Sequence, residues 1–397
     1  MVFLKKLVQF AVRLVVFPFV LVLFLLRRIL VVELVLPNAT LFGHLALEPE
    51  KILCNLALDK RLRSSTRRRF QIWSFGKAKN QVNKTLVEIW RRQVFSLPSM
   101  VVDAIHRASK WLPHFEIAVL QFDKLHENDH VLDLFETHLR LRPDEIARGE
   151  DYLASVGIKP GQPYACLIVR EVAWAPPITG PLSSGELRSR HFDDFVPAAV
   201  ALIQGGVPVI KLGAPGTTNT TGTSIIDYAN SEAKSEFLDI FLPSRARCVI
   251  STMSGPDAVA LAARVPVLYI DIAQYSLCFA GTKLVTWVPA QLRRDASQAM
   301  TLDEVFKSGA GRFLGKAAFD DAGITIVNCS PEQIREHALA FLDHLTSSTT
   351  VDSEELQDSY RRKFHALLSE RAVAPLAPFQ SRLSEVFLRD HGRNFLS

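Results

Sequence analysis

Arg247-Cys-Val-Ile-Ser-Thr-Met-Ser-Gly-Pro-Asp-Ala-Val-Ala-Leu-Ala-Ala-Arg-Val-Pro-Val-Leu-Tyr-Ile-Asp271 is the stretch whose reading decides the fold. Cys248–Ile250 is short, apolar and β-branched, as a buried strand requires, and the alanine-rich Ala258–Ala263 suits a thin helix packed closely on a sheet. Val265–Ile270 then supplies a second strand. Between strand and helix lie Ser251, Thr252, Ser254 and Gly255, followed by Pro256, whose missing N–H costs nothing in a first helical turn. Such a junction aims free backbone N–H groups and a helix dipole at the space above the sheet, where a phosphate can bind. The same pattern also describes an ordinary capped helix in a β-α-β unit, and the junction alone leaves both readings open.

Working outward, 397 residues exceed what one core usually serves, so two domains are expected. Lys and Arg total 46 against 41 Asp and Glu, a net charge of +5, too balanced for an obligate nucleic-acid binder. The five cysteines, Cys54, Cys166, Cys248, Cys278 and Cys329, are odd in number and scattered. Their spacing suggests neither a disulfide framework nor a zinc site, and a reducing cytosolic face is the simpler setting.

Toward the N-terminus, Leu7–Leu26 is mostly apolar, flanked by Lys5, Lys6 and Arg13 on one side and Arg27 and Arg28 on the other. A spanning helix needs about 20 apolar residues, more than the unbroken run Leu14–Leu26 supplies. A monotopic anchor with basic residues on anionic lipid is therefore expected, a single span being the alternative. The cytoplasmic face of the inner membrane is the expected location, and if the helix does span, the arginine-rich Lys60–Arg69 should hold the main body on that side.

Val31–Leu36 reads as a strand and Glu50–Leu58 as a helix, which puts Gly43 and His44 in the loop after a strand end, where open α/β sheets hold ligands. An imidazole there can act as a general base, and Glu48, four residues on, can orient it; a purely structural histidine is the alternative. Phe70–Phe75 reads as a second strand, with amphipathic helices over Leu86–Phe95, Met100–Leu112 and Pro143–Val156. Gly157–Pro163 has the punctuation of an interdomain linker.

Beyond it, Tyr164–Val169 and Val207–Leu212 read as strands and Ile225–Ala229 as a short apolar run, alternating with helices over Phe192–Gln204 and Lys234–Leu242. Alternation of this kind implies a mostly parallel, doubly wound sheet. Arg170, Arg190 and Lys211 then fall at or near strand ends on the ligand side, a joint placement that favours phosphate binding over simple surface solubility. No Gly-x-Gly-x-x-Gly follows a strand, and neither a Gly-x-x-x-x-Gly-Lys-Ser/Thr loop nor a Gly-x-Ser-x-Gly elbow is present, which weighs against dinucleotide oxidoreductases, P-loop enzymes and serine hydrolases. There is also no Asp-x-Asp of the kind that holds a sugar nucleotide through a metal.

The order Phe42-Gly-His-Leu-Ala-Leu-Glu48, Phe75-Gly-Lys-Ala-Lys-Asn-Gln-Val-Asn-Lys84, Cys166-Leu-Ile-Val-Arg-Glu171, Ser189-Arg-His-Phe-Asp-Asp-Phe195, Val209-Ile-Lys-Leu-Gly213, Ile226-Asp-Tyr-Ala-Asn-Ser231, Lys234–Leu242 and Ile250-Ser-Thr-Met-Ser-Gly-Pro256 resembles a bacterial family of glycosyltransferase-like proteins encoded with surface-polysaccharide genes. The resemblance covers about Val31 to Leu345. It implies a GT-B enzyme of two Rossmann-like lobes, distantly similar to fucosyltransferases, with the nucleotide-sugar in the C-terminal lobe and neither metal nor cofactor required. On it, Arg170, Arg190, Lys211, Gly213, Asp227, Tyr228, Ser251, Thr252, Ser254 and Gly255 would face the donor, and His44 and Glu48 the acceptor. Ile168-Val169-Arg170-Glu171 departs from the His-x-Arg-Asp usual in relatives, Lys211 replaces a common arginine, and Ser189-Arg190-His191 replaces Tyr-Arg-Asn.

The expected organisation is a membrane-associating segment over 1–30, an acceptor-side α/β lobe over 31–158, a donor-side lobe over 159–345 and a C-terminal helical segment over 346–397. The expected activity is transfer of a sugar from a nucleotide-sugar to a glycan or glycolipid acceptor. A sugar-nucleotide epimerase on the same fold and an inactive membrane-bound scaffold in polysaccharide assembly are the alternatives.

Overall fold

The computed structural model describes residues 2–62, 68–120, 129–171, 185–294, 298–346, 351–370 and 376–397. Of the basic stretch Lys60–Arg69, residues 63–67 lie outside that set. The chain forms two compact units, one of residues up to 120 together with His138–Arg140, the other of 129–137 and the described residues from Leu141 onward.

In the first unit, β1 (Leu30–Val35) pairs in parallel with β2 (Arg68–Trp73) on one side and β3 (Ala118–Leu120) on the other. Helices α1 (Val2–Leu26), α2 (Phe42–Leu62), α3 (Lys84–Arg91) and α4 (Ser99–Ser109) surround this sheet. Among the described residues the lobe is thus three strands wide, smaller than the Rossmann-like lobe expected. Helix α3 starts where the Asn83 side chain accepts the Leu86 N–H at 2.8 Å, an ordinary N-cap.

Helix α2 begins eight residues before the expected Glu50, because Pro49 lies inside it rather than ahead of it. Proline leaves the carbonyl four residues back without its helical donor. Here that carbonyl, Leu45 O, accepts the Trp90 indole N–H at 2.9 Å, so the helix runs through the proline with no orphaned group. His44 consequently stands in a first helical turn and not in a loop.

Helix α1 lies against α4. Val20, Leu23, Val102, Ile105 and Ala108 share one apolar cluster with Val32, Leu34 and Ile72 of the sheet, and Phe10 and Phe17 rest on Trp111. The opposite side of α1 leaves Leu14, Val15, Val22 and Leu25 bare. The segment Lys6–Leu26, with mean hydropathy 2.4, is long and apolar enough to cross a membrane by length and composition.

In the second unit, β4 (Ala165–Ile168), β5 (Val209–Leu212), β6 (Ile226–Asp227), β7 (Cys248–Ser251), β8 (Val267–Ile272), β9 (Val285–Pro289) and β12 (Arg382–Leu383) form one parallel sheet in the order β12-β9-β8-β7-β4-β5-β6. A separate antiparallel pair joins β10 (Gln291–Arg293) and β11 (Thr325–Val327). Counted from β4, the order outward in both directions is the doubly wound arrangement whose direction of growth reverses between the first and fourth strands. The central strands are buried throughout, as parallel strands covered on both faces must be.

Helices α5 (Val131–Leu134), α6 (Pro143–Ser155), α7 (Val196–Gln204), α8 (Leu238–Arg245) and α9 (Asp257–Ala262) also belong to this unit. Thus α6, which the sequence reading assigns to the first lobe, packs with the second. Gly149 of α6 lies so close to the buried Phe241 of α8 that a β-carbon there would stand 2.3 Å from the ring. In an exposed helix, Gly→Ala stabilises by up to about 1 kcal/mol. Here overpacking should win and Gly149→Ala should destabilise by roughly 1–3 kcal/mol, measurable as a lower denaturation midpoint. The C-terminal segment, expected to be helical, adds β12 at the sheet edge and Tyr360 to the core, where its hydroxyl accepts the Trp287 indole N–H at 2.7 Å.

Candidate functional site

Open parallel sheets hold ligands beyond the carboxyl ends of their strands, at the point where strand order reverses. In the second unit that point is the β4–β7 pair, joined in register at Ile168 and Ser251. Immediately past it, the Arg170 N–H donates to Thr252 Oγ1 at 3.0 Å and the Thr252 N–H to Ile168 O at 3.2 Å. Met253 then turns with φ of 61°, a left-handed conformation that is costly for a side chain other than glycine and that re-aims the backbone ahead of Ser254 and Gly255. Both of the latter are partly exposed, as is Gly213 at the end of β5.

Two guanidiniums converge on this switch point. Arg170 is half-buried, and its guanidinium lies beside Gly185, where a β-carbon would stand 2.7 Å away. Arg188, on the 3-10 turn Glu186–Arg188, donates to Met253 O at 3.0 Å. Burial holds the Arg170 pKa below its usual range, and burial together with the neighbouring Arg170 charge does the same for Arg188. The buried Asp257 carboxyl acts on Arg188 in the opposite sense and offsets part of that effect.

Several residues expected to face a ligand are turned inward. Lys211 is 1% exposed, pairs with Glu171 at 3.3 Å, donates to Thr218 O and lies over the Phe192 ring. Glu171 in turn accepts the Thr218 N–H at 2.8 Å, so this ion pair holds the loop after β5. Arg190 is buried between Asp271 and Asp194 and also donates to Cys329 O at 3.1 Å, leaving its charge balanced within the fold. Tyr228 is buried and donates to Ser235 O and Asp239. Asp227 keeps partial exposure, but its carboxylate accepts from Asn230 at 2.9 Å and 3.2 Å and from the Thr220 N–H at 3.3 Å. These four residues shape the site's walls through internal bonds.

The anion cradle expected at Ser251–Gly255 is likewise occupied from within. Ser251 is fully buried, and its hydroxyl and the Ser254 N–H both donate to Asp257 Oδ2 at 2.6 Å, while Tyr269 donates to Oδ1 at 3.1 Å. Thr252 is also buried, its hydroxyl oxygen committed to the Arg170 N–H. The carboxylate of Asp257 thus takes the place an external phosphate would take at the start of α9.

Burial raises the Asp257 pKa to about 6, its three hydrogen bonds notwithstanding. A carboxyl whose folded pKa lies above the unfolded value binds protons more tightly when folded, so its stabilisation is full below about pH 4 and is lost as pH rises through 6. Asp257→Asn should therefore remove a fall in stability of on the order of 3 kcal/mol between those limits, read by thermal unfolding at a series of pH values. His337, held down at about 4 by burial, contributes in the opposite sense over the same window, so the difference between parent and variant, rather than the parent alone, shows the effect clearly.

In the first unit, His44 Nδ1 lies 2.6 Å from Glu48 Oε1 across one turn of α2. Glu48 is 3% exposed, and its other oxygen accepts the Asn38 N–H at 2.8 Å, which fixes the carboxylate. A carboxylate can only accept, so Nδ1 carries the hydrogen, and in the neutral imidazole the lone pair is then on Nε2. The His44 side chain is one-third exposed. This is the arrangement by which a buried acid orients an imidazole for proton transfer.

No protein-family model matches the chain, and no curated protein matches it. Among solved structures, it is similar to the glycosyl transferase family 9 protein from Veillonella parvula DSM 2008, with 10% identity and a TM-score of 0.43 over 79% of this chain and 97% of that one. It is also similar to the ADP-heptose LPS heptosyltransferase II of E. coli, with 11% identity and a TM-score of 0.40 over 65% and 90% of the two chains. A third likeness is to the iron-containing dodecameric glycosyltransferase TibC from enterotoxigenic E. coli H10407, with 13% identity and a TM-score of 0.37 over 80% and 77%. These are distant likenesses, and no residue role is carried over from them.

Arg188 is a candidate residue that the sequence reading misses. It sits two positions before Arg190 in Leu187-Arg188-Ser189-Arg190, and only the 3-10 turn decides which of the two faces the switch point. Arg188, on the turn, reaches Met253 O, whereas Arg190, just past the parallel bridge between Arg170 and Ser189, reaches Asp271 and Asp194.

Proposed function

We propose that the chain is a membrane-associated glycosyltransferase whose second unit binds the diphosphate of a nucleotide-sugar. The observation that carries this reading is the pair Arg170 and Arg188 at the β4–β7 switch point, cationic groups placed where a doubly wound sheet takes its ligand. Arg170 and Arg188, beside Gly213 at the end of β5, form the donor side, with guanidiniums meeting the diphosphate charge without a metal. His44 is the base, positioned by Glu48. It takes the proton of an acceptor hydroxyl as the new bond forms at the anomeric carbon, while the bond from that carbon to the phosphate oxygen breaks and the nucleoside diphosphate departs with inversion. The acceptor is a glycan or glycolipid, in keeping with the surface-polysaccharide resemblance.

A panel of GDP-, UDP-, ADP-, dTDP- and CMP-linked sugars, followed by released nucleotide with and without added magnesium, tests this. One donor should be hydrolysed slowly by water alone and faster with membrane extract as acceptor. Silence across the panel in both conditions would overturn the transferase reading and favour the scaffold.

The membrane contact is the bare side of α1. A helix packed lengthwise on α4 lies along the protein body, so its outer residues fit a monotopic contact with the lipid interface, on the cytoplasmic face if the donor is a cytosolic nucleotide-sugar. Leu14→Asp with Val15→Asp, at positions 53% and 79% exposed, should abolish flotation with anionic vesicles and leave the unfolding temperature unchanged. Deleting 1–28 is the poorer test, since it would also uncover the α4 cluster.

A further inference from the structure

We propose that Glu50, Cys54 and His138 of the first unit form a site for a soft divalent cation of the zinc class, separate from the donor-binding residues and from His44. Glu50 and Cys54 are four residues apart on α2 and so share a face, and both are fully buried. Cys54 Sγ lies 3.4 Å from Glu50 Oε1 and 3.9 Å from His138 Nδ1, and the latter two atoms are 3.1 Å apart. A tetrahedral ion about 2.3 Å from sulfur and about 2.0–2.2 Å from nitrogen and oxygen holds such atoms roughly 3.4–3.6 Å apart. The three separations therefore bracket the edges of a zinc coordination tetrahedron without an ion to draw them in.

Chemistry agrees with geometry. A thiolate, a carboxylate and a neutral imidazole together neutralise a dication, so the buried set carries no net charge when loaded. Sulfur among the ligands selects zinc over magnesium or calcium. The His138 backbone N–H donates to both Glu50 oxygens, at 3.2 Å and 3.0 Å, and fixes the carboxylate as an outer support does in metal sites. His138 retains 28% side-chain exposure, which gives the ion an entry route and leaves the fourth position to water.

The site also has a structural consequence. His138–Arg140 clusters with the first unit, although the residues on either side of it in sequence cluster with the second. A metal shared between α2 and His138 pins that short segment and adds its binding energy to the folded state.

The full-length protein, purified without chelator and dialysed, should retain about one zinc per chain. After stripping, it should bind one cobalt(II) and develop a thiolate-to-cobalt charge-transfer absorption. Cys54→Ser should lose that absorption. His138→Gln, at the partly exposed and more tolerant position, should weaken cobalt affinity by more than the roughly 10- to 100-fold that follows loss of an outer support. Circular dichroism confirms that each variant is folded. Absence of stoichiometric cobalt binding by the parent protein overturns the proposal, as does a folded His138→Gln that binds as tightly as the parent. Both readouts are independent of sugar transfer, so they stand or fall apart from the transferase reading.

Discussion

His44→Ala should lower acceptor-dependent sugar transfer by roughly 10²–10⁴ while leaving donor affinity unchanged, the usual contribution of a positioned general base. The expectation rests on the buried Glu48 carboxylate, held by the Asn38 N–H and 2.6 Å from His44 Nδ1, which keeps Nε2 as the acceptor atom. Glu48→Gln supplies the companion test. A glutamine amide can donate to Nδ1 and so favour the opposite tautomer, with hydrogen on Nε2 and no lone pair for the substrate. Turnover should fall while the Michaelis constant for donor stays constant, and the acid limb of the pH–rate profile should move. A purely structural histidine would lower stability without that signature. Wild-type transfer by a folded His44→Ala protein would remove the base assignment and leave the donor-site reading standing.

Arg170→Ala and Arg188→Ala should each weaken nucleoside-diphosphate binding by roughly 10- to 100-fold, the range expected for hydrogen bonds to a charged group, while binding of the parent nucleoside barely changes. The two guanidiniums repel one another, so removing either relieves the other. The double variant should then lose less than the product of the single losses. Calorimetric titration with nucleoside and diphosphate decides the matter. Equal losses for both ligands would make these arginines supports of the β4–β7 loop. Lys211 and Arg190 make a useful contrast, because each is paired with buried acid and its removal should act on stability before binding.

The contrast between Arg170 and Lys211 shows where sequence reading stops. Each could be placed near a strand end from periodicity, because the strands Ala165–Ile168 and Val209–Leu212 are local apolar runs bounded by turn signals. Which cation pairs with Glu171 and which stays half-buried at the strand end depends on the path of the loop after β5, a non-local property. Likewise the junction Ser251–Gly255 is legible as a strand-to-helix turn, but nothing in its spacing says that Asp257 folds back to satisfy Ser251 and the Ser254 N–H.

The sequence by itself determined what local periodicity and composition control. That includes a β-α-β core around Cys248–Ile270, alternation implying a parallel sheet, an apolar N-terminal helix, and a histidine and glutamate four residues apart. Tertiary structure alone decided the strand order that creates a switch point at β4 and β7, since order is set by pairing between distant segments. It alone carried the helix through Pro49, because the compensating donor is the indole of Trp90. It alone joined Cys54 and Glu50 to His138, which no spacing rule connects. In each case the physical reason is the same: a buried polar group must find a partner, and the partner is chosen by proximity in space rather than along the chain.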